Sequence, residues 1–155
     1  MPARVSPRTM RLAMNLWPPF LCAGIRVLEI GADWRHARVV LRRRWYNRNY
    51  VGTQYGGSLF SMTDPFWMVL VMHGLGTDYI VWDKAGTIEF VAPGREDVFA
   101  EFRLDQAVLD GLRAATAGGD RHLHWFQTEV ATAAGERIAL VRKQLYVRRK
   151  PGRPG

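Results

Sequence analysis

The chain has 155 residues, of which 48% are hydrophobic and 23% charged, as expected of one globular domain. Its 22 basic and 14 acidic residues leave a net charge of +8, which favours an anionic partner such as a phosphate-bearing ligand, a lipid surface or nucleic acid. The single cysteine, Cys22, excludes an internal disulfide. The apolar stretch near the start carries two adjacent prolines and lacks a clean cleavage site, so we expect a cytoplasmic protein.

The first half of the chain predicts a helix, a hairpin and a second, buried helix. Ser6 and Pro7 are typical of a helix start, and residues 6–16 form the helix, which the two prolines at 18 and 19 end. Residues 24–32 and 36–43 read as two strands of a hairpin, followed by a loop over 44–54. A long apolar helix is predicted from Tyr55 or Gly56 to His73, ended by glycines at 74 and 76. It is too short and too polar in its first half to span a bilayer.

In the second half, alternation of apolar and polar residues predicts strands over 79–82, 87–91, 98–104, 122–132 and 137–148, with a short helix over 106–115. Short turns favour antiparallel pairing, and a helix that is apolar nearly all round must be covered on most sides. The pattern therefore predicts an α+β fold in which a sheet wraps around a central helix. We expect one domain over residues 1–148 and a basic flexible tail over 149–155.

Asp64 is the most informative residue, because it lies among Met, Phe and Trp and follows two glycines. A buried carboxylate costs several kcal/mol, by order of magnitude, unless it is paired or used. Gly56 and Gly57 would let a ligand approach the backbone closely where the helix begins. The alternative is a structural acid that bonds the backbone or pairs with an arginine. Pro65 directly after it is expected to kink the helix.

Residues 49–64, with Asn49, Gly56, Gly57 and Asp64, resemble the active-site segment of hotdog-fold thioesterases of the phenylacetyl-CoA type. That family has His-Gly-Gly and then an acid nine residues after the His, and Asp64 lies 64 − 55 = 9 residues after Tyr55. The segment that ends in Pro93 and Gly94 is similar to a strand of the same family. The resemblance covers roughly residues 24–147.

The resemblance implies a hotdog fold, a curved antiparallel sheet wrapped around one long central helix, in a homodimer or homotetramer. It implies hydrolysis of a hydrophobic or aromatic acyl-CoA thioester, with coenzyme A as part of the substrate and no separate cofactor. Asp64 would be the general base or nucleophile, backbone N–H groups of Gly56 and Gly57 would polarise the carbonyl, and Asn49 would belong to the same site across a dimer interface. Burial would raise the pKa of Asp64, and Asn49, Thr63 or Tyr55 could donate to it.

Substrate contacts are assigned to residues near the acid and to basic residues farther along the chain. Thr63 and Trp67 lie beside Asp64, although the methionines around Trp67 are equally consistent with a core. Lys84 and Arg95 are candidates for the coenzyme A phosphates, as are Arg148 and Arg149. His122 and His124 share a strand face, but a third ligand is lacking, so no metal site is predicted.

Tyr55 stands where the family has His, and a phenol does not titrate near neutral pH as an imidazole does. Tyr55 could pack at the helix start rather than take part in chemistry. This departure favours an alternative function, a non-catalytic hotdog protein that binds acyl-CoA or a fatty acyl ligand. Nucleic-acid binding has only the net charge in its favour, since no motif and no aromatic platform among the arginines is evident; we expect neither nucleic acid nor membrane as partner.

Overall fold

The computed structural model describes residues 5–151, which form five helices and six strands. The helices are α1 (Pro7–Leu16), α2 (Pro18–Ala23), α3 (Gly56–Ser61), α4 (Phe66–Leu75) and α5 (Gln106–Ala115). The strands are β1 (Ile25–Ile30), β2 (His36–Leu41), β3 (Tyr79–Phe90), β4 (Val98–Arg103), β5 (Arg121–Thr132) and β6 (Arg137–Arg149). Within the described range no helix is long and apolar enough to cross a bilayer.

All strand pairs are antiparallel, in one sheet with the order β1-β2-β4-β5-β6-β3. α4 packs on the inner face of this sheet, where it buries residues on all sides, as its uniformly apolar sequence requires. Inward-facing residues of β5 and β6 are buried beneath it, among them Phe126, Val130, Leu145 and Val147. The α+β class and the antiparallel sheet predicted from the sequence are confirmed.

Proline accounts for both departures from the predicted helices: α2 is a helix that was not predicted, and the long helix is divided in two. The prolines at 18 and 19 end α1 as expected, but they also begin α2, because proline fits the first turn of a helix, where its missing N–H has no partner anyway. The single helix predicted up to His73 is divided into α3 and α4. Pro65 has no N–H with which to continue the helical hydrogen bonds. The residues before it form tighter turns instead, in which Thr63 N donates to Phe60 O and Asp64 N donates to Ser61 O, both at 3.1 Å.

The strand predictions differ in smaller ways. The two pieces expected at 79–82 and 87–91 are one strand, β3, with a bulge between Asp83 and Ala85. The predicted tail starts at residue 149, yet Arg149 still belongs to β6 and Lys150 donates from its backbone N to Asp78 O at 2.8 Å. Residues 152–155 of that predicted tail lie outside the described range.

The two edges of the sheet are finished differently. The outer edge of β1 is closed by α1: Asn15 donates to Val27 O at 3.0 Å and accepts from Val27 N at 2.8 Å, as a neighbouring strand would. Arg11 donates to Leu28 O beside it at 3.1 Å. β3 pairs only with β6 among the described strands, so its second edge is open to a partner.

Asn15→Ala should lower the free energy of unfolding by about 1–2 kcal/mol, because two part-buried hydrogen bonds are lost and Val27 keeps unpaired backbone groups. Urea unfolding measures this loss. Arg8→Ala, at an exposed position of the same helix, is the matched control and should stay within about 0.5 kcal/mol of the parent. Equal stability of both variants would show that α1 does not close the edge.

Candidate active site

The loop before α3 is shaped by Asn49. Its side chain donates to Thr53 Oγ1 at 2.8 Å and accepts from Thr53 N at 2.9 Å. Because these bonds occupy the amide, Asn49 holds the loop in the single chain. It also lines, with Gly56, Phe90 and Gly94, a cavity of about 380 Å³ at the start of α3. Asn49 therefore lies at the same opening as the first glycine.

Both glycines at the start of α3 lie under aromatic rings. A Cβ on Gly56 would be 2.8 Å from Phe90 Cζ, and one on Gly57 would be 2.5 Å from Tyr55 Cε1. Glycine is required at both positions as long as the rings stay where they are. Tyr55 itself is 57% exposed and makes no side-chain cap bond to the helix. It does not fill the core edge, and its ring lies over Gly57.

Asp64 lies at the break between α3 and α4, and its side chain is 57% exposed. The expectation of a carboxylate buried inside a helix is therefore wrong for the single chain. The break caused by Pro65 turns Asp64 out of the apolar helix surface, so that the carboxylate reaches solvent.

The carboxylate is held by Lys143 of β6, whose Nζ is 2.5 Å from Asp64 Oδ1. The Lys143 side chain is 6% exposed, and its Nζ lies 5.4 Å from the centre of the Phe60 ring. This is an almost fully buried ammonium, which is stable only with a counter-charge. The Asp64 carboxylate supplies that charge at the surface.

Lys143 was missed as a site residue, although the sequence contains a signal for it. Along β6 the residues at 139, 141, 145 and 147 are buried and face inward, and 143 has the same parity. A lysine on the inward, apolar face of a strand is rare unless an opposite charge pairs with it. Opposite Lys143 in the sheet is Gly86, where a Cβ would lie 2.7 Å from Phe60 Cζ and 3.1 Å from Lys143 Cδ. The missing side chain at Gly86 makes room for Phe60 and Lys143.

A second carboxylate, Asp83, faces the same lysine from β3. Its Oδ1 is 3.6 Å from Lys143 Nζ, beyond hydrogen-bond distance, and is buried with no hydrogen-bond partner among residues 5–151. Burial raises the pKa of Asp83 above its usual range, Lys143 lowers it and the charge of Asp64 raises it. The Lys143 ammonium thus faces two carboxylates, and it forms its hydrogen bond with the more exposed of them, Asp64.

The other predicted site residues are spread over the domain. Thr63 is fully buried and donates to Phe60 O at 2.8 Å, and Trp67 is a core residue that donates from Nε1 to Thr128 Oγ1 at 2.7 Å. Lys84 lies exposed in the β3 bulge, and Arg95 lies exposed after Gly94. Substrate contacts by these four residues stay predictions.

One chain does not bring the two halves of the predicted site together. Gly56 and Asp64 are eight positions apart, which is about 12 Å along a helix axis. A carbonyl oxygen bonded to a glycine N–H, with the attacking group at its carbon, needs both within about 3–3.5 Å. In one chain the glycine pair begins α3, and Asp64 follows the last residue of that helix.

A second cavity adjoins the acid from the other side. It has a volume of about 400 Å³ and is apolar, with Pro65 at one wall and residues at the end of α1 at the other: Ala13, Met14, Leu16 and Trp17. Leu16 is 73% exposed and Trp17 48% exposed, so this apolar surface is open in the single chain. It is large enough for an apolar group attached to a thioester at Asp64.

Comparisons with known proteins support the resemblance stated above. The family model described as "Domain of unknown function (DUF4442)" matches residues 7–147. A Pseudomonas aeruginosa protein of unknown function, called a probable thioesterase, has a TM-score of 0.81 and 19% identity over 92% of this chain and 95% of its own. A Haemophilus influenzae thioesterase has a TM-score of 0.68 and 12% identity over 97% of this chain and 95% of its own. The Escherichia coli PaaI protein from the phenylacetic acid degradation operon has a TM-score of 0.62 and 16% identity over 94% of this chain and 93% of its own. No curated protein matches this chain.

The ion pair can be tested by a double-mutant cycle of Asp64→Asn and Lys143→Met. We expect a coupling free energy of about 1 kcal/mol, below the value for a buried charged hydrogen bond because Asp64 is more than half exposed. Asp64→Asn should therefore destabilise the parent but leave the Lys143→Met background almost unchanged. Urea unfolding of all four proteins gives the cycle, and additive losses would show that the two side chains are not coupled.

Proposed function

Because the chain belongs to the DUF4442 family and shares its fold with probable thioesterases, we propose that it hydrolyses acyl-CoA thioesters with a hydrophobic or aromatic acyl group. The observation that carries the proposal is the Asp64 carboxylate. It is exposed at a helix break, fixed through one oxygen by a buried lysine, and lies nine residues after Tyr55, the spacing the thioesterases have. A side chain with only a structural role would not need its second oxygen free at the surface.

Each group has a place in the reaction. Backbone N–H groups of Gly56 and Gly57 donate to the thioester oxygen and stabilise the negative charge that develops on it. Asp64 takes a proton from water as the water oxygen attacks the carbonyl carbon, and it returns that proton to the leaving thiolate sulfur. Alternatively, an Asp64 oxygen attacks first, the thiol leaves, and water hydrolyses the resulting anhydride. Both routes give a free thiol and a carboxylic acid.

Lys143 supports either route by fixing one oxygen of the acid. Since Nζ bonds Oδ1, the orientation of the carboxylate plane is set and Oδ2 is left for water or substrate. Asp83 holds the ammonium from its other side at 3.6 Å, so the lysine keeps a counter-charge when Asp64 takes up a proton. This arrangement does without the histidine that Tyr55 replaces.

The active unit is a homodimer. Gly56 begins α3 and Asp64 lies beyond the last residue of that helix, so the glycine pair of one chain works with the Asp64 of the other. The open edge of β3 is the natural place for the chains to pair, because the β1 edge is closed by Asn15. Asn49 would then contribute from the glycine side of the composite site.

The acyl group and the carrier are assigned to two surfaces. The apolar cavity between α1 and Pro65 adjoins Asp64 and would receive the acyl group. Lys84 and Arg95 are exposed and positively charged, and they would receive phosphates of coenzyme A. Thr63 and Trp67, which are buried, would pack on the core side of the site.

One observation favours a second function. Tyr55 occupies the position of the family histidine, which removes a group that titrates near neutral pH. A protein that binds acyl-CoA without hydrolysing it would keep both cavities and have no need of that group. Thermal stabilisation by acyl-CoA without release of thiol would establish this function.

Asp64→Asn should reduce the rate of thiol release from the best acyl-CoA substrate at least about 100-fold, because an amide is neither base nor nucleophile. The assay uses a panel of short, long and aromatic acyl-CoA esters. Asp120→Asn, which alters an exposed acid before β5, is the control and should keep the parental rate. Equal rates for Asp64→Asn and parent would exclude the catalytic role of Asp64.

A composite site predicts complementation between two inactive variants. Asp64→Asn lacks the acid, and Gly56→Val places a side chain where the thioester would lie, against Phe90. Co-expressed with different tags, they should form mixed dimers with one intact site, and the mixture should recover about a quarter of the parental activity. Purified mixed dimers with no activity would show that the two groups act within one chain.

A further inference from the structure

The outer side of α1 and α2 is an apolar surface exposed to solvent. The large apolar side chains exposed there are Leu12, Leu16, Trp17 and Leu21, at 58%, 73%, 48% and 57%. We call these four residues the apolar helix face. Leu12 and Leu16 lie four positions apart, on the side of α1 opposite the buried Met14. An amphipathic helix normally has polar residues on that side, so the apolar helix face marks a contact with an apolar partner.

A loop rich in arginine and aromatic residues adjoins the end of α2. Asn47 fixes this loop, because its side-chain amide donates to Ala23 O at 2.9 Å and to Arg42 O at 2.7 Å. The loop residues exposed beside it are Arg44, Trp45, Tyr46 and Arg48, which we call the basic loop. Trp45 is 81% exposed, and its ring stands edge-on to that of Tyr46 with the centres 5.6 Å apart. Such rings are typical of boundaries between an apolar and an aqueous phase.

The charge of this region is positive. Residues 5–28 and 34–63 contain nine arginines and neither Asp nor Glu. Within residues 5–151, Arg8 and both arginines of the basic loop form no ion pair. Asp97 of a neighbouring loop accepts from the backbone N of Arg43 at 2.7 Å, so one acid stands against several arginines. The region is therefore complementary to an anionic partner.

An anionic lipid bilayer has both properties that these surfaces require. Its hydrocarbon accepts leucine side chains, its headgroup level favours tryptophan and tyrosine, and its phosphates attract arginine. A second copy of the chain fits less well, because a symmetric contact would bring Arg8 and Arg11 against their own copies. A nucleic acid would match the basic loop but would leave Leu12 and Leu16 in water.

We propose that this protein docks on anionic bilayers through the apolar helix face, with the basic loop at the level of the headgroups. The helix α1 has ten residues and is about 15 Å long, so it would lie in the plane of the interface and not cross it. Docking of this kind replaces the expectation from the sequence that a membrane is not a partner. It also gives a role to the net charge of +8, which the proposed reaction does not explain.

The apolar cavity assigned to the acyl group opens on the same surface. Leu16 and Trp17 belong both to the apolar helix face and to the wall of that cavity, and Pro65 lies at its other wall. Asp64, whose charge is balanced by Lys143, directly precedes Pro65. A long acyl chain would thus pass from the bilayer into the cavity and bring its thioester to Asp64. This delivery of long-chain acyl-CoA rests on the proposed function, whereas docking itself does not.

Vesicle flotation tests docking without using the reaction. Vesicles of phosphatidylcholine and phosphatidylglycerol in equal parts should bind the parent at least about 10-fold more tightly than vesicles of phosphatidylcholine alone, because the arginines are attracted to anionic headgroups. Leu16→Ser should weaken binding to the mixed vesicles at least about 10-fold, since an apolar side chain no longer enters the bilayer. Leu123→Ser, at a position 40% exposed on β5, is the matched control and should bind as the parent does.

A second pair of variants tests the basic loop. Arg44→Gln combined with Arg48→Gln should weaken binding to the mixed vesicles about 10-fold and leave binding to phosphatidylcholine vesicles almost unchanged. Arg121→Gln combined with Arg142→Gln removes the same charge from exposed positions of β5 and β6 and should bind like the parent. Equal losses in the two double variants would show that net charge alone attracts the protein, which contradicts docking in one orientation.

Three other results would overturn the proposal. One is a parent that binds neither kind of vesicle. Another is Leu16→Ser forming a smaller oligomer than the parent by light scattering, which would assign the apolar helix face to a second copy. The third is binding of a single-stranded oligonucleotide that depends on Arg44 and Arg48 in a protein that binds no vesicles. Vesicle binding without thiol release would overturn only the proposed function, and thiol release without vesicle binding only the docking.

Discussion

A single buried ammonium accounts for much of the architecture around the proposed site. Lys143 points into the core from a central position of β6, where a charge without a partner would cost several kcal/mol by order of magnitude. Asp83 faces it from the neighbouring strand, but at a distance too long for a hydrogen bond. Among residues 5–151 only Asp64 bonds it directly, and it does so from the break that Pro65 makes between α3 and α4. The interruption of the central helix thus puts a carboxylate where both the lysine and the solvent can reach it.

The same geometry separates the chemistry into two halves. The glycine pair lies at one end of α3 and the acid beyond its other end. The two sheet edges also differ. One edge is closed by Asn15, which hydrogen-bonds as a neighbouring strand would, and the other, β3, pairs only with β6 among the described strands. The composite site proposed above would use that free edge to bring the two halves together.

Much of the fold could be predicted from the sequence because local patterns are strong there. Ser6 does cap α1, the helix at Gln106–Ala115 has the predicted bounds, and the alternation in β5 and β6 identifies the inward residues. Proline was harder to interpret, because it ends one helix and begins the next at 18 and interrupts another at 65. The sequence pattern cannot separate these outcomes, since tertiary packing decides whether the chain resumes a helix after the proline.

Site prediction was limited by distance along the chain. The segment 49–64 is continuous, so its glycines, asparagine and acid could be recognised from their resemblance to one stretch of a known family. Lys143 lies 79 residues beyond Asp64 and meets it only through the sheet register, which no local motif encodes. Trp67 and Thr63 follow or precede the acid closely in sequence, yet they are buried in the core while Asp64 is exposed. Burial thus differs between neighbours in sequence, and strand parity is the signal that marks Lys143.

In the proposed site an acid from one chain and glycines from another act on the same thioester. Specific thiol-release activity should be measured as the protein is diluted through the range in which light scattering shows dimers separating into monomers. We predict that activity per chain falls in proportion to the dimer fraction and recovers on reconcentration. Full activity per chain in the monomer would contradict the composite site, and no activity at any concentration would contradict the hydrolysis itself.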